Sequence, residues 1–186
     1  MLDYPVSYTH LDVYKRQGFG FPASIGAAIG CPDKTVVCVA GDGSFQMNSQ
    51  EMATAGIHRV PVKVLVMDNR CLGMVHQWQH LFYGERYSST LLDANPDFVK
   101  LADAYGWQAA RVESPDALDA ALAAMLAAEG PYLLDVAISR DQNVFPMVAP
   151  GRALDDVIGA IDVAVGAVRT DVPEAEAAPG GKGGIR

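Results

Sequence analysis

Cysteine is scarce and basic charge is short. The 186 residues carry three cysteines, Cys31, Cys38 and Cys71, an odd number without C-x-x-C spacing. That argues against a disulfide framework or a structural zinc site and leaves a reducing compartment as the default. Lysine and arginine number 14 against 22 aspartates and glutamates, a formal net charge of −8, so the basic stripe expected of a nucleic-acid binder is missing. A phosphate site survives this argument, because backbone dipoles and a bound cation act locally at one turn. No apolar run reaches the roughly 18–20 residues of a membrane span, and the first residues lack the sustained apolar stretch of a secretory signal. A soluble, cytoplasmic chain with neither a nucleic-acid nor a membrane partner is expected. Gly18-x-Gly20 follows no clear strand and lacks the third glycine of a dinucleotide fingerprint. His76 and His80 are four residues apart with no third ligand, so solvated or interface histidines are expected there rather than a metal site.

Half of the residues are apolar, and they fall into short runs that alternate between strand and helix patterns. Thr35–Ala40 and Val62–Met67 read as parallel strands buried on both faces. One helix-sized segment separates them, as a right-handed βαβ unit requires. Pro22 suits the first turn of a helix to about Gly30. Asn95-Pro96 is read as the start of a helix with Phe98, Leu101, Ala102 and Tyr105 on one face, closed by Gly106. Ser114-Pro115-Asp116 starts another, with Leu118, Ala121, Leu122, Met125 and Leu126 buried. Residues 107–112 and 132–138 are the later strands, Asn143 to Gly151 is a loop, and Ala153 to Val165 is a final helix. Asp135, within an apolar strand, reads better as a paired carboxylate than as a catalytic one. The fold class is α/β, a doubly wound, mostly parallel sheet with helices on both faces. Residues 18–169 form one domain of about 150 residues, enough for a substantial core, and the Pro-, Ala-, Glu- and Gly-rich 170–186 is expected to be disordered.

The chemistry gathers where those first two strands end. Gly41-Asp42-Gly43-Ser44 follows the first apolar run, and Asp68-Asn69 follows the second, with twenty-four residues between Gly43 and Asp68. If the strands are neighbours, about 4.8 Å apart, Asp42 and Asn69 emerge together from the carboxyl edge of the sheet, where open α/β folds bind ligands. An anionic and a neutral oxygen are hard ligands that Mg²⁺ takes alongside phosphate. Gly41 and Gly43 are expected to take positive φ and let amides approach an anion. Asn48 with Glu51 reads as a capping box that starts the next helix, leaving Ser44 to Met47 as a tight turn facing phosphate. Gly18 and Gly20 allow close backbone approach and are counted with the cofactor-binding residues. The plain alternative for Gly-Asp-Gly is a surface turn, or a flavodoxin-like module holding a phosphate without catalysis.

Gly-Asp-Gly followed about two dozen residues later by Asn-Asn is the motif of thiamine diphosphate enzymes, and residues 41–69 resemble it with Asp68 replacing the first Asn. Gly18-Phe-Gly-Phe-Pro-Ala-Ser-Ile-Gly26, Leu72-Gly-Met-Val-His-Gln-Trp-Gln79, Phe82-Tyr83 with Arg86-Tyr87-Ser88, Asn95-Pro-Asp-Phe98 and Asn143-Val-Phe-Pro-Met147 extend the likeness from Gly18 to about Ile161. Together they resemble the large catalytic subunit of acetolactate synthases. The resemblance implies Mg²⁺ held by Asp42, Asn69 and the backbone carbonyl of Cys71. It implies diphosphate held by Gly43, Ser44 and the amides near Leu72 and Gly73, and Met74 beside the cofactor rings. Val75 and Trp78 would line the substrate channel, although Trp78 also suits simple helix packing. Met74, Trp78 and Leu81 share a helix face, expected to turn toward the cofactor.

The implied reaction decarboxylates pyruvate and joins the two-carbon unit to a second 2-oxo acid, pyruvate or 2-oxobutyrate, on the way to the branched-chain amino acids. The family also implies FAD in the full-length parent, homodimers or tetramers, and an associated regulatory small subunit. Its activating glutamate belongs to another domain, so the chain alone is expected to be inactive. Residues 1–17 show no periodicity and are read as a non-native, adapter-derived head, with Gln17 where the family has a methionine. Another carboligase or decarboxylase of the glyoxylate carboligase or benzoylformate decarboxylase type is the nearest alternative, and the Trp78 element argues against it.

Overall fold

The four apolar runs form strands β1 (Val37–Gly41), β2 (Lys63–Asp68), β3 (Gln108–Val112) and β4 (Tyr132–Ala137) in a computed structural model of the chain. It describes residues 18–149, 151–153, 156–159, 161–162 and 167–168, so the expected foreign head and disordered tail lie outside the described residues. The strands make one parallel sheet in the order β1-β2-β4-β3. Each starts and ends within a residue or two of its expected position, and the doubly wound α/β reading holds. The chain divides into two compact units, one formed by residues up to Leu72 with Leu91–Arg140, the other by Gly73–Thr90 with the residues from Asp141 onward.

In the first unit, alternation along the strands sends side chains to two separate cores, as a sheet covered on both faces requires. Val64, Val66 and Leu133 join one core with Phe21 and Ile25 of α1 (Gly20–Gly30), Met52 and Ala55 of α3 (Met52–Ile57), and Phe98 and Ala102 of α5 (Phe98–Ala104). Leu65, Leu134 and Val136 join the other, against Leu118, Leu122 and Met125 of α6 (Leu118–Ala127). Leu126 was expected inside but is exposed; it lies about 100° around the helix from Met125, which takes the inward position. Lys63, buried at the start of β2, donates to the carbonyls of Ala128 and Gly130 just past α6, satisfying acceptors a helix end leaves open.

Two helix starts differ from expectation. The cap of α5 is Asp97, whose carboxylate accepts from the amides of Val99 and Lys100 at 3.1 Å each, rather than Asn95-Pro96. Pro96 lies just outside the helix, and the Asn95 side chain is committed elsewhere. The Asn48–Glu51 capping box does not form. Asp42–Gln46 is itself one helical turn, α2, followed by a 3₁₀ turn at Ser49–Glu51 without a side-chain cap from Asn48. The Glu51 carboxylate instead accepts from Thr54 Oγ1, one turn further on. Ser114 does cap its element, a 3₁₀ turn leading into α6.

The second unit contains α4 (Gly73–Phe82) and short antiparallel pairs, β5 (Met147–Val148) with β6 (Val157–Ile158) and β7 (Ile161–Asp162) with β8 (Ala167–Val168). The helix expected over 153–165 is therefore corrected wherever it is described. Val157, Ile158 and Ile161 are β-branched and suit extended backbone. Gly159 breaks the run at φ +71°, and a Cβ there would lie 2.7 Å from the Phe145 ring. Among the described residues no helix is long and apolar enough to cross a membrane.

The turn that carries Asp42 is anchored by Phe45, fully buried with its ring 5.1 Å from Phe21 and 5.8 Å from Phe98. Phe45→Ala is expected to cost about 3–5 kcal/mol, read as a lowered midpoint in urea unfolding; a loss below about 1 kcal/mol contradicts this anchoring.

Candidate functional site

All four strands of the first unit run the same way, so their carboxyl ends share one edge. Gly41 stands opposite Met67 in the β1–β2 register, which sets Asp42 level with Asp68 and one residue short of Asn69. The sheet thus places the two residues singled out as cation ligands at the ends of neighbouring strands. Asp42 opens α2 and is 1 % exposed. Its Oδ1 accepts from the amide of Gly43 at 2.8 Å and its Oδ2 from the side-chain amide of Asn95 at 2.7 Å. After β2 the chain turns at Arg70, with φ 54°, and Asn69 Oδ1 accepts from the amide of Cys71 at 3.1 Å, an Asx turn that holds the Asn69 side chain. Cys71 is buried and bridges Leu91, and Leu92 donates its amide to the carbonyl of Arg70 at 2.8 Å.

Neither glycine of the Gly41–Gly43 turn has positive φ: Gly41 is extended at φ −72°, and Gly43 lies inside α2. Gly43 is required by closeness instead. A Cβ there would sit 2.9 Å from Leu72 Cδ2 and 3.0 Å from Leu92 Cδ1, whereas one on Gly41 would meet nothing within 4 Å. Gly18 packs on the far side of the same turn, against the Ser44 carbonyl, Met47 and Asn48, while Gly20 faces Cys38 on β1.

Behind this edge lies a buried charge cluster. Asp42, Asp68 and Asp135 are all buried. Arg111 of β3 reaches across β4, pairing with Asp135 beside it and with Asp68 Oδ2 at 3.0 Å, and its Nε meets Glu113 at 2.8 Å. Asn95 Nδ2 also approaches Asp68 Oδ1, at 3.4 Å, and links it to Asp42. Asp135 is thus the paired core carboxylate expected, although its Oδ1 has no hydrogen-bond partner. Burial pushes the Asp135 carboxyl above its ordinary range against the pull of Arg111. The Asp42 carboxyl rises from 3.8 to about 6, chiefly through burial and partly through the charge of Asp68, against the hydrogen bonds from Gly43 and Asn95.

One guanidinium serving two of three buried carboxylates leaves negative charge at Asp42, which a cation offsets. The oxygens of Asp42, Asn69 and the Cys71 carbonyl are hard donors, the chemistry Mg²⁺ selects. No group of three or more His, Cys, Asp or Glu side chains among the described residues is placed to hold a metal. By donor chemistry, the residues present fit a magnesium diphosphate.

Gly73, Met74, Val75 and Trp78 lie on α4, in the second unit. The face this helix buries carries His76 and Gln77, not Met74, Trp78 and Leu81. Met74 and Val75 are each 37 % exposed, and Trp78 meets Phe82 edge-on at 6.0 Å. Of the two histidines expected to be solvated or at an interface, His76 is buried and stacks on Tyr87 at 4.4 Å, whereas His80 is exposed beside Tyr87 and Glu85. The loop after Asn143 is fastened to this helix, with Gln77 bonding both the amide and the carbonyl of Val144. Asn95 and Arg111 are site residues that sequence reasoning missed. The signal for Asn95 was its place just before a proline and a better cap, Asp97; Arg111 carried none.

Asp42 ionises at about 6 when folded against 3.8 ordinarily. Its protonation therefore favours the fold below about pH 4, and that contribution is lost as pH rises through about 6. In chelator-treated protein, the parent chain is expected to gain stability relative to Asp42→Asn by up to about 3 kcal/mol between about pH 7 and pH 4, read from paired urea titrations. A difference independent of pH sinks this reading of the buried carboxylate.

The family profile "Thiamine pyrophosphate enzyme, C-terminal TPP binding domain" matches residues 3–136. The acetolactate synthase isozyme 2 large subunit of Escherichia coli (strain K12) is 48 % identical over 141 residues, 76 % of this chain and 26 % of that protein. A probable acetolactate synthase large subunit of Methanococcus aeolicus is 47 % identical over 144 residues, 77 % of this chain and 24 % of that protein. Among solved structures, a Rhodococcus jostii RHA1 thiamine diphosphate-dependent 4-hydroxybenzoylformate decarboxylase matches with TM-score 0.61 and 28 % identity, covering 66 % of this chain and 23 % of that one. The chain spans about a quarter of the length of the curated relatives it matches. With its parallel sheet and the Asp42–Asn69 edge, the chain belongs to the thiamine pyrophosphate enzymes, as a C-terminal TPP-binding domain of the acetolactate synthase-like kind.

Proposed function

We propose that this domain anchors thiamine diphosphate through Mg²⁺ in an acetolactate synthase catalytic subunit, one that takes pyruvate and a second 2-oxo acid, pyruvate or 2-oxobutyrate. The observation that supports the reading is the pairing of β1 with β2, which brings the strand ends carrying Asp42 and Asp68-Asn69 to one edge, near the buried carboxylates of Asp68 and Asp135. Asp42, Asn69 and the Cys71 carbonyl would hold the ion, and Gly43, Ser44 and the backbone at Leu72 and Gly73 the diphosphate. When bound, the cofactor supplies a carbon nucleophile and an electron sink for decarboxylation.

The chain's own work is binding and orientation. Its buried carboxylate would hold the metal, and the closeness of Gly43 to Leu72 and Leu92 keeps tight the turn that would face the diphosphate. Met74 would lie beside the cofactor rings, and Val75 and Trp78 would line the substrate side. The glutamate that activates the aminopyrimidine, FAD, the contacts of a homodimer or tetramer, and the surface for a regulatory small subunit would come from other parts of the full-length enzyme. A cytoplasmic location follows from this reading.

Calorimetric titration of the 186-residue chain with thiamine diphosphate tests it. Binding is expected with Mg²⁺, to vanish with chelator, and to be lost in Asp42→Ala. The purified chain is expected to form no acetolactate from pyruvate. Binding of equal strength without metal, or unchanged in Asp42→Ala, contradicts the anchoring role.

A further inference from the structure

Asn95 is the polar side chain that ties the carboxyl edge together. It stands in the loop before α5, and its side-chain amide reaches three groups from two other elements. Nδ2 donates to Asp42 Oδ2 at 2.7 Å and to Asp68 Oδ1 at 3.4 Å, and Oδ1 accepts from Gln46 Nε2 at the end of α2. Ionised carboxylates only accept, so Nδ2 faces Asp42 and Asp68 and Oδ1 is left to accept from Gln46. With Oδ1 of Asp42 held by Gly43 and Oδ2 by Asn95, both oxygens of that carboxylate are oriented by donors on the protein.

The choice of a neutral donor matters. Arg111 pairs with Asp68 and Asp135 and offsets part of their charge. Asn95 bridges Asp42 and Asp68 through a shared N–H donor and brings no countercharge to Asp42, so the carboxylate keeps the charge with which it binds a hard cation. Capping does not need this side chain, because Asp97 already satisfies the first amides of α5.

We propose that Asn95 is a positioning residue for the cation site, holding the Asp42 carboxylate in its metal-binding orientation. This rests on the cofactor-anchoring reading above. Outer partners that orient a metal ligand typically carry 10- to 100-fold of metal affinity. Asn95 is thereby distinguished from a packing residue, since it acts on the metal and not on the cofactor's organic part.

The test titrates Mg²⁺ into the full chain at fixed thiamine diphosphate, and thiamine diphosphate at saturating Mg²⁺, by calorimetry, for the parent chain, Asn95→Ala and Gln46→Ala. Asn95→Ala is expected to raise the half-saturating Mg²⁺ concentration about tenfold or more, with the cofactor's own dissociation constant at saturating Mg²⁺ within about threefold. Gln46→Ala keeps both carboxylates and their direct donors and loses only the bond that fixes the amide. It is expected to shift the Mg²⁺ midpoint in the same direction by about threefold, which provides a readout should Asn95→Ala fold poorly. Midpoints within about twofold of the parent in both variants overturn the proposal. So does an equal weakening of both constants together with a lowered metal-free melting temperature, which marks a purely structural role. If the parent chain shows no Mg²⁺-dependent binding, the functional reading falls and this inference with it; parent binding that Asn95→Ala leaves unchanged sinks the inference alone.

Discussion

The structure turns on a buried carboxylate placed where two parallel strands end. An ionised group out of water is expensive, and Asp42 is held in that condition by a backbone amide and a neutral side-chain amide rather than by a countercharge. Its raised pKa reports the cost. A fold carries such a group at a disadvantage to its own stability unless something else binds there, and a divalent cation with a diphosphate has the charge and the preference for oxygen to relieve it.

The rest of the first unit serves to hold this edge still. Phe45, on the same single helical turn as Asp42, is driven into the core between Phe21 and Phe98, so the hydrophobic effect fixes the turn's position while polar contacts fix its side chains. Trp107 extends the same core and donates to the Met52 carbonyl at 3.0 Å, tying α3 to the start of β3. At the far side of the sheet Arg111 spans two strands to pair with Asp135 and Asp68. The charge pairing and the apolar packing therefore both act near the carboxyl ends of these strands.

In the second unit the glutamines flanking Trp78 act on backbone. Gln77 bonds both polar groups of Val144, and Gln79 bonds both polar groups of Ser88. Each amide mimics a rung of a β-ladder, so α4 fastens two irregular segments that have no strand partners of their own there. The Gln-Trp-Gln element thus has a structural reason for its two outer residues independent of whatever the tryptophan contacts.

Much of this was legible from residue order. Short apolar, mostly β-branched or aliphatic runs ended by turn residues located the parallel strands, because a strand covered on both faces needs no polar alternation, and Gly41–Ser44 with Asp68-Asn69 marked the edge by chemistry alone. Asp135 declared itself as a paired carboxylate by its apolar flanks. What the order of residues left open was every partner supplied from a distance: Asn95 on Asp42, Arg111 on Asp68 and Asp135, Lys63 on the end of α6. It also favoured the local cap at Asn48 and a helix near Ile158, where the chain made a 3₁₀ turn and a strand pair. Local propensity and spacing are properties of a segment. Which buried charge meets which donor depends on strand order β1-β2-β4-β3, and that order brings Arg111 to residues 24 and 43 positions away for reasons only the folded sheet contains.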